Sequence, residues 1–207
     1  MFTGLIEHLG LVHESHTTAA GVRLVVSCKS LIATEVAVGD SIAIDGCCLT
    51  VATQPAQQLE GCLLAFDVIP QTLSLTTLGE VKPGQRVHVE PALLLGAKMG
   101  GHIVQGHVDC VGKVLAIDTT NGWRVRIAIP PQHMNAVVPQ GSVTVAGVSL
   151  TIAACDVDAN WLEVALIPTT LEKTTFRNLR VGSVVNIECD MIAKQVAAIA
   201  LRMLAKK

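Results

Sequence analysis

The chain repeats itself, and the repeat limits its fold more than any other feature. Gly39–Thr50 (GDSIAIDGCCLT) lies over Gln140–Thr151 (QGSVTVAGVSLT): Ser41 falls on Ser142, Gly46 on Gly147, Cys48 on Ser149 and Thr50 on Thr151, at an offset of 101. Val68–Leu78 (VIPQTLSLTTL) lies over Leu166–Phe176 (LIPTTLEKTTF), and VKPGQRVHVE over LRVGSVVNIE, both at an offset of 98. The first residues join the pattern, with Gly4, Ile6, Glu7, Gly10 and Val12 over Gly106, Val108, Asp109, Gly112 and Val114. Landmarks in the same order with small changes of offset describe two copies of one domain, the change of 3 being a loop deletion. Each copy is too long for a solenoid unit and long enough for its own core. The reading is therefore two domains, 1–97 and 98–189, joined at Gly96–Gly101 (GAKMGG), and a tail, 190–207.

Within the first copy, GLVHES, GVRLVVSC, SIAIDG, CCLTVAT, LLAFDVI and RVHVEP are short runs rich in Val, Ile and Leu, separated by Gly, Pro, Asp or polar residues. Such runs are strands. Six of them in one copy suit a small closed barrel or a sandwich, and closure removes exposed sheet edges. Val36–Gly39 and Gln71–Leu78 read as short helices or irregular turns. The tail, MIAKQVAAIALRMLAKK, contains no Gly or Pro and reads as a helix. Asp190 stands at its N-cap, and Arg202, Lys206 and Lys207 lie where the dipole favours positive charge. Ile192, Val196, Ile199 and Met203 form an a/d seam, which serves either a helix packed on its own barrel or an oligomer contact.

Composition removes several classes of function. Half of the residues are hydrophobic but only 2% are aromatic, so the core is aliphatic. Net charge is −2 with no basic patch, which argues against nucleic acid as a partner. Charged residues make up 15%, against ~25% in an average protein, which is consistent with surface covered by another subunit. Seven cysteines without zinc spacing fit a reducing cytoplasm better than a disulfide scaffold. Residues 1–10 lack the pattern of a signal peptide, and Val143–Cys155, the longest apolar stretch, is too short to span a bilayer, so no membrane partner is expected.

MFTGLIE at the start, DGCCLTV, MGGHIVQGHVD between the halves, GVSLT and LIPTTLEKTT together resemble the riboflavin synthases of the duplicated-barrel kind, in order and over essentially the whole chain. The resemblance implies an all-β fold: two tandem six-stranded Greek-key barrels related by internal duplication, plus a C-terminal helix. It implies a homotrimer joined by those helices, with each active site between the N-terminal barrel of one chain and the C-terminal barrel of its neighbour. The implied reaction is a dismutation of 6,7-dimethyl-8-ribityllumazine. One molecule gives four carbons to another, forming riboflavin and a ribitylamino-pyrimidinedione, with no cofactor and no metal. Lumazine synthase enters as an associate on the same ground. Two similar domains suit two identical substrates, and holding both in register can supply ~7–11 kcal/mol of the barrier.

The resemblance also assigns residues. Ser41, Cys48 and Thr50 line the site of the first barrel, and Ser149 and Thr151 that of the second. Cys48 and Thr50 are two apart and share a sheet face, although a small core thiol and a strand-forming Thr explain the same letters. Phe2 is placed near the reaction centre, His102 at the site as acid–base or polar support, and Asp190 beside it with an influence on catalysis that is compatible with an N-cap. Gly4, Ile6, Asp67, Ile69, Thr72, Ile103, Ile167 and Thr170 fall at or near the pockets. His107 lies five residues from His102, but no third metal ligand is evident. Two departures stand out: Ala146 where the family pattern has Asp, and Gln140 where a Lys is common. Both remove charge expected beside the second pocket.

Two other functions compete. Silent relatives in bioluminescent bacteria bind a lumazine or flavin without turnover; they lose the symmetry between pockets, and Ser41, Cys48, Thr50, His102, Ser149 and Thr151 argue against that reading here, while Ala146 and Gln140 keep it open. A flavin-dependent reductase would need a Gly-rich nicotinamide-binding half, which does not follow the barrels.

Overall fold

The computed structural model describes residues 1–29, 31, 35–59 and 61–205. The first half contains β1 (His8–Thr18), β2 (Gly21–Cys28), β3 (Ser41–Ile44), β4 (Cys47–Thr50), β5 (Ala56–Gln57), β6 (Cys62–Val68) and β7 (Arg86–Pro91). The second contains β8 (Cys110–Asp118), β9 (Trp123–Ala128), β10 (Ser142–Val145), β11 (Val148–Asp156), β12 (Trp161–Leu166) and β13 (Val184–Cys189). All pairings between these strands are antiparallel, and the two sheets have the same connectivity. The second half closes as a six-stranded barrel in the order β10-β11-β12-β9-β8-β13. The first runs β4-β3-β7-β1-β2-β6-β5 and is joined across β4 and β6 by one bridge, Val51 to Phe66, and the Ala52 N–H to Ala65 carbonyl bond of 2.8 Å. Pro55 explains the difference. It has no N–H to give a ladder, so the chain leaves β6 after Ala52 and returns as the short β5.

Alternation along the strands fills each barrel. Leu24, Val26 and Cys28 of β2 and Leu64, Phe66 and Val68 of β6 point inward, as do Val125 and Ile127 of β9 and Leu162, Val164 and Leu166 of β12. These side chains form two separate cores, one per half. After β6 and β12 the chain makes the same unit twice: α1 (Pro70–Leu75) with a 3-10 turn at Thr77–Gly79, and α2 (Pro168–Lys173) with one at Thr175–Asn178. Proline at the first helical position starts each helix. Thr76 and Thr174 cap the turns with their hydroxyls.

The tail forms α3 (Met191–Leu204), capped by Asp190, whose carboxylate accepts the Ile192 N–H at 2.7 Å. Lys206 and Lys207 lie outside the described residues. Ile192, Val196, Ile199 and Met203 are each more than half exposed, so the helix does not spend its seam on its own barrel. No helix among the described residues is long and apolar enough to cross a membrane.

Candidate functional site

The barrels exchange their leading segments. Ile6, which precedes β1, packs against the core of the second barrel, and Val108, its counterpart before β8, packs against the core of the first. Each segment is a strap tied down twice. Glu90 at the end of β7 accepts the Thr3 N–H at 2.7 Å, the Thr3 hydroxyl at 2.8 Å and the Gly4 N–H, while the Gly4 carbonyl accepts the Ser149 N–H at 2.7 Å. Glu188 of β13 accepts the Gln105 and Gly106 N–H groups at 2.8 and 2.9 Å, and the Gly106 carbonyl accepts the Cys48 N–H at 2.8 Å. Gly4 and Gly106 have positive φ and lie so close to Ser149 and Cys48 that a Cβ on either would sit 2.6 Å from the facing Cβ. Only glycine fits there.

The symmetry axis runs through the joint. Phe2 pairs with Val104, its own copy: the Phe2 N–H donates to Val104 O at 2.7 Å and the Val104 N–H to Phe2 O at 3.1 Å. Phe2 is fully buried there with Ala43 and Val104, its ring against Gly106 and close to Cys48.

At the second barrel's mouth, Gly4, Ile6, Ser149, Ile167 and Thr170 line one cavity of about 220 Å³ with Val148, Thr169 and Lys173. A larger cavity of about 870 Å³ adjoins it, sharing Leu5, Ile6 and Lys173 and running along Glu90–Leu94 to Lys98. His102 stands beside Ser149, with its Nδ1 2.7 Å from Ser149 Oγ. Its Nε2 lies 3.3 Å from Thr144 Oγ1, and the His102 backbone N–H donates to Thr3 O at 3.2 Å. Burial holds the imidazole below its ordinary pKa, opposed by the negative charge of Asp190. A neutral ring beside a hydroxyl can take or return a proton.

Cys48, Ile69 and Thr72 occupy the matching positions of the first barrel, with Gly106 and Val108 in place of Gly4 and Ile6. Cys48 and Ser149 are half-buried, whereas Thr50 and Thr151 are exposed two residues along the same face. Ile69 and Ile167 are 53% and 62% exposed, so an apolar side chain stands open at each mouth. Ile103 is half-buried between His102 and Val104.

Other expected residues do not line the cavity of about 220 Å³ at the second mouth. Ser41 lines a cavity of about 490 Å³ with Glu35, Val36 and Asp40, which meets the cavity of about 870 Å³ along Glu7, His8, Pro91, Ala92 and Leu94. Asp190 borders one of about 520 Å³ between α3 and Val138–Ser142. Asp67 is engaged on the outer face of β6, 2.7 Å from Arg23 Nε. Ala146 and Gln140 do not line the second barrel's mouth: Ala146 is buried in the joint and Gln140 sits in the turn before β10. No group of three His, Cys, Asp or Glu among the described residues is placed to hold a metal ion.

Sequence reasoning passed over Glu90 and Glu188, although both end their copies of the same motif, VKPGQRVHVE and LRVGSVVNIE. Burial raises both carboxyls above their ordinary pKa, against the N–H groups that favour the charged form. Lys173 and Thr144 carried no signal, since each differs from its counterpart, Leu75 and Ala43.

A model of the lumazine binding domain matches residues 3–92 and again 105–190. A riboflavin synthase of Mycobacterium bovis is 41% identical over 198 residues, covering 95% of this chain and 96% of that one. One of Bacillus subtilis is 37% identical over 195 residues, covering 94% and 87%. Among solved structures, LumP complexed with riboflavin has a TM-score of 0.79 at 24% identity, and LumP complexed with 6,7-dimethyl-8-(1'-D-ribityl) lumazine a TM-score of 0.77 at 22%. Each covers 91% of this chain and 99% of that one, and at these identities the likeness is one of fold. One domain model matched twice across the duplication, with relatives similar along nearly their whole length, makes this chain a member of the riboflavin synthase family.

Proposed function

We propose that the chain converts two molecules of 6,7-dimethyl-8-ribityllumazine into riboflavin and 5-amino-6-ribitylamino-2,4-pyrimidinedione, one molecule at each barrel mouth. The observation that carries this is the repeated closure of the mouths: strap carbonyl to Ser149 N–H at one and to Cys48 N–H at the other. Identical substrates call for similar pockets, and the duplication supplies them. LumP, with the same fold, is seen with the lumazine and with riboflavin.

The reaction moves four carbons between two copies of one compound and needs no net oxidant. Its proton traffic starts at the acidic 7-methyl group of the donor and includes addition of a nucleophile to the acceptor. The His102–Ser149 pair gives the second mouth a base and a hydroxyl in contact. Cys48 serves the first mouth as a contact residue, with Thr50 and Thr72 as polar neighbours. Phe2 acts through the joint, where it backs Cys48 and Gly106.

Each active site is proposed to form between the first barrel of one chain and the second barrel of another in a trimer. The exposed seam of α3 and the open Ile69 and Ile167 support that arrangement. Light scattering of the purified chain reads the trimer directly. The cytoplasm is the proposed location, with lumazine synthase as an associate.

The experiment is anaerobic incubation with the lumazine alone. One riboflavin for every two lumazines consumed is the expected result. Lumazine that binds and stays unchanged would refute turnover and leave a binding protein.

A further inference from the structure

Thr144 lines neither mouth cavity, yet it touches the one histidine that the second mouth uses. In β10 it stands opposite Ser149 of β11 on one side and Glu188 of β13 on the other. Residues in register across adjacent strands share a face. That face turns away from the barrel core, which takes Val143 and Val145 from the same strand. The hydroxyl of Thr144, 1% exposed, lies 3.3 Å from His102 Nε2. The first barrel repeats the row as Cys48, Ala43 and Glu90, and there Ala43 joins an apolar cluster with Phe2. The hydroxyl therefore belongs to the second barrel alone and is not required by the shared fold.

We propose that Thr144 is a positioning residue for the His102–Ser149 pair: its hydroxyl holds the far nitrogen of the ring so that Nδ1 faces Ser149 Oγ. The inference rests on the reading that this pair handles the proton at the second mouth. Rotation about the last torsion of a histidine is broad and two-fold, so one side-chain bond at Nδ1 does not fix which edge of the ring faces Ser149. A second bond, at Nε2, does. A hydroxyl both donates and accepts, so it serves either tautomer. With Nε2–H directed at Thr144, Nδ1 is left as an acceptor for the Ser149 proton. Nucleophile, base and orienting group then follow the logic of a triad, with a neutral third member. Neutrality suits the place, because a carboxylate there would add a second buried negative charge beside Glu188.

The test compares Thr144→Val, Thr144→Ala and Thr144→Ser for riboflavin formation and for the imidazole nitrogen signals of His102 in protein labelled with 15N-histidine. Ala43 in the first barrel shows that this fold accepts alanine at the position, so the test does not depend on the valine variant folding. Loss of one hydrogen bond to the ring should lower kcat roughly tenfold in the Val and Ala variants, with KM within about twofold. Their His102 signals should shift, and Ser should restore both rate and signals. Wild-type rates with unmoved signals in Val and Ala would overturn the proposal, as would an equal loss in Ser. His102→Ala, run in parallel, separates the two claims. Undiminished turnover there removes the role of the pair and the proposal with it, whereas a loss there and none in Thr144→Val overturns the role of Thr144 alone.

Discussion

His88 and Asn186 hold the barrels together by the same two hydrogen bonds, each made into the opposite barrel. His88 of β7 faces the Ala146 carbonyl through Nδ1 at 2.7 Å and accepts the Thr175 N–H at Nε2 at 2.9 Å. Asn186 of β13, its copy, donates to the Asp45 carbonyl at 2.9 Å and accepts the Thr77 N–H at 2.7 Å. A carbonyl only accepts and a backbone N–H only donates, so His88 carries its proton on Nδ1. Imidazole and carboxamide share what the joint requires: one donor and one acceptor on a short side chain.

Removing that pair of bonds should loosen the joint. His88→Ala leaves a buried carbonyl and a backbone N–H without partners and is expected to cost roughly 2–4 kcal/mol, with His88→Asn recovering about half. Urea unfolding midpoints at neutral pH measure both. Equal losses in the two variants would mean that the edge-on packing of His88 against Phe176, 5.4 Å between centroids, matters more than its hydrogen bonds.

The two departures from the family pattern have a backbone consequence. Ala146 and Gln140 both have positive φ, 45° and 63°, where the first half has Asp45 and Gly39. Asp45 uses its carboxylate to accept the His88 N–H at 2.8 Å, a bond that alanine has no atom to make. Side chains with a Cβ are strained in this region, Asn and Gly least. Ala146→Asn and Gln140→Gly should each raise stability by about 0.5–1 kcal/mol, read as a higher melting temperature. Turnover should hold, because neither residue lines the second barrel's mouth.

The repeat made the strands legible, since twelve of them recur as apolar runs between turn residues, and the alternation within each run marked the core. The helical tail and its cap were legible for the same reason: spacing and a single Asp. Closure of the first barrel by one bridge was not, because it depends on where Pro55 sends the chain. Nor was the exchange of leading segments. Ile6 and Val108 look like ordinary residues before a strand, and only the three-dimensional joint shows that each serves the opposite barrel. Phe2 illustrates the gap: resemblance put it near the reaction, and its full burial on the symmetry axis is a property of the pair of domains. Ser41, Asp67 and Asp190 border neither Ser149 nor the cavity of about 220 Å³ at the second mouth, so a single chain does not gather them there.

Glu90 and Glu188 should leave a mark on stability against pH. Burial raises both carboxyls in the folded chain, so the folded state keeps protons that the unfolded state releases. Their contribution is then full below the ordinary carboxylate value and is lost as pH rises through the folded-state value. Glu90→Gln removes one such group. The difference in unfolding free energy, wild type minus variant, should fall as pH rises above the ordinary carboxylate range. A flat difference would mean that the strap's N–H groups offset burial completely. His102 slopes the other way, with stability lost as pH falls, and cancels in the subtraction.

Thiol chemistry offers a direct view of the first mouth. Burial pushes Cys47, Cys110 and Cys189 up to about 12 and Cys62 to about 11, so these thiols stay protonated and unreactive at neutral pH. Cys48 and Cys155 are the two that reach the surface in part. Iodoacetamide on the native chain should therefore label these two first, as read by peptide mass, with the other five following only on unfolding. Carboxamidomethyl-Cys48 would fill the space between β4 and Gly106, so turnover should disappear at the rate at which Cys48 is labelled. Riboflavin should slow labelling of Cys48 and leave Cys155 unaffected. A Cys48→Ser chain, which copies Ser149 of the other mouth, should resist inactivation while Cys155 is still labelled. Inactivation of that variant at the wild-type rate would place the sensitive thiol elsewhere and remove Cys48 from the first mouth.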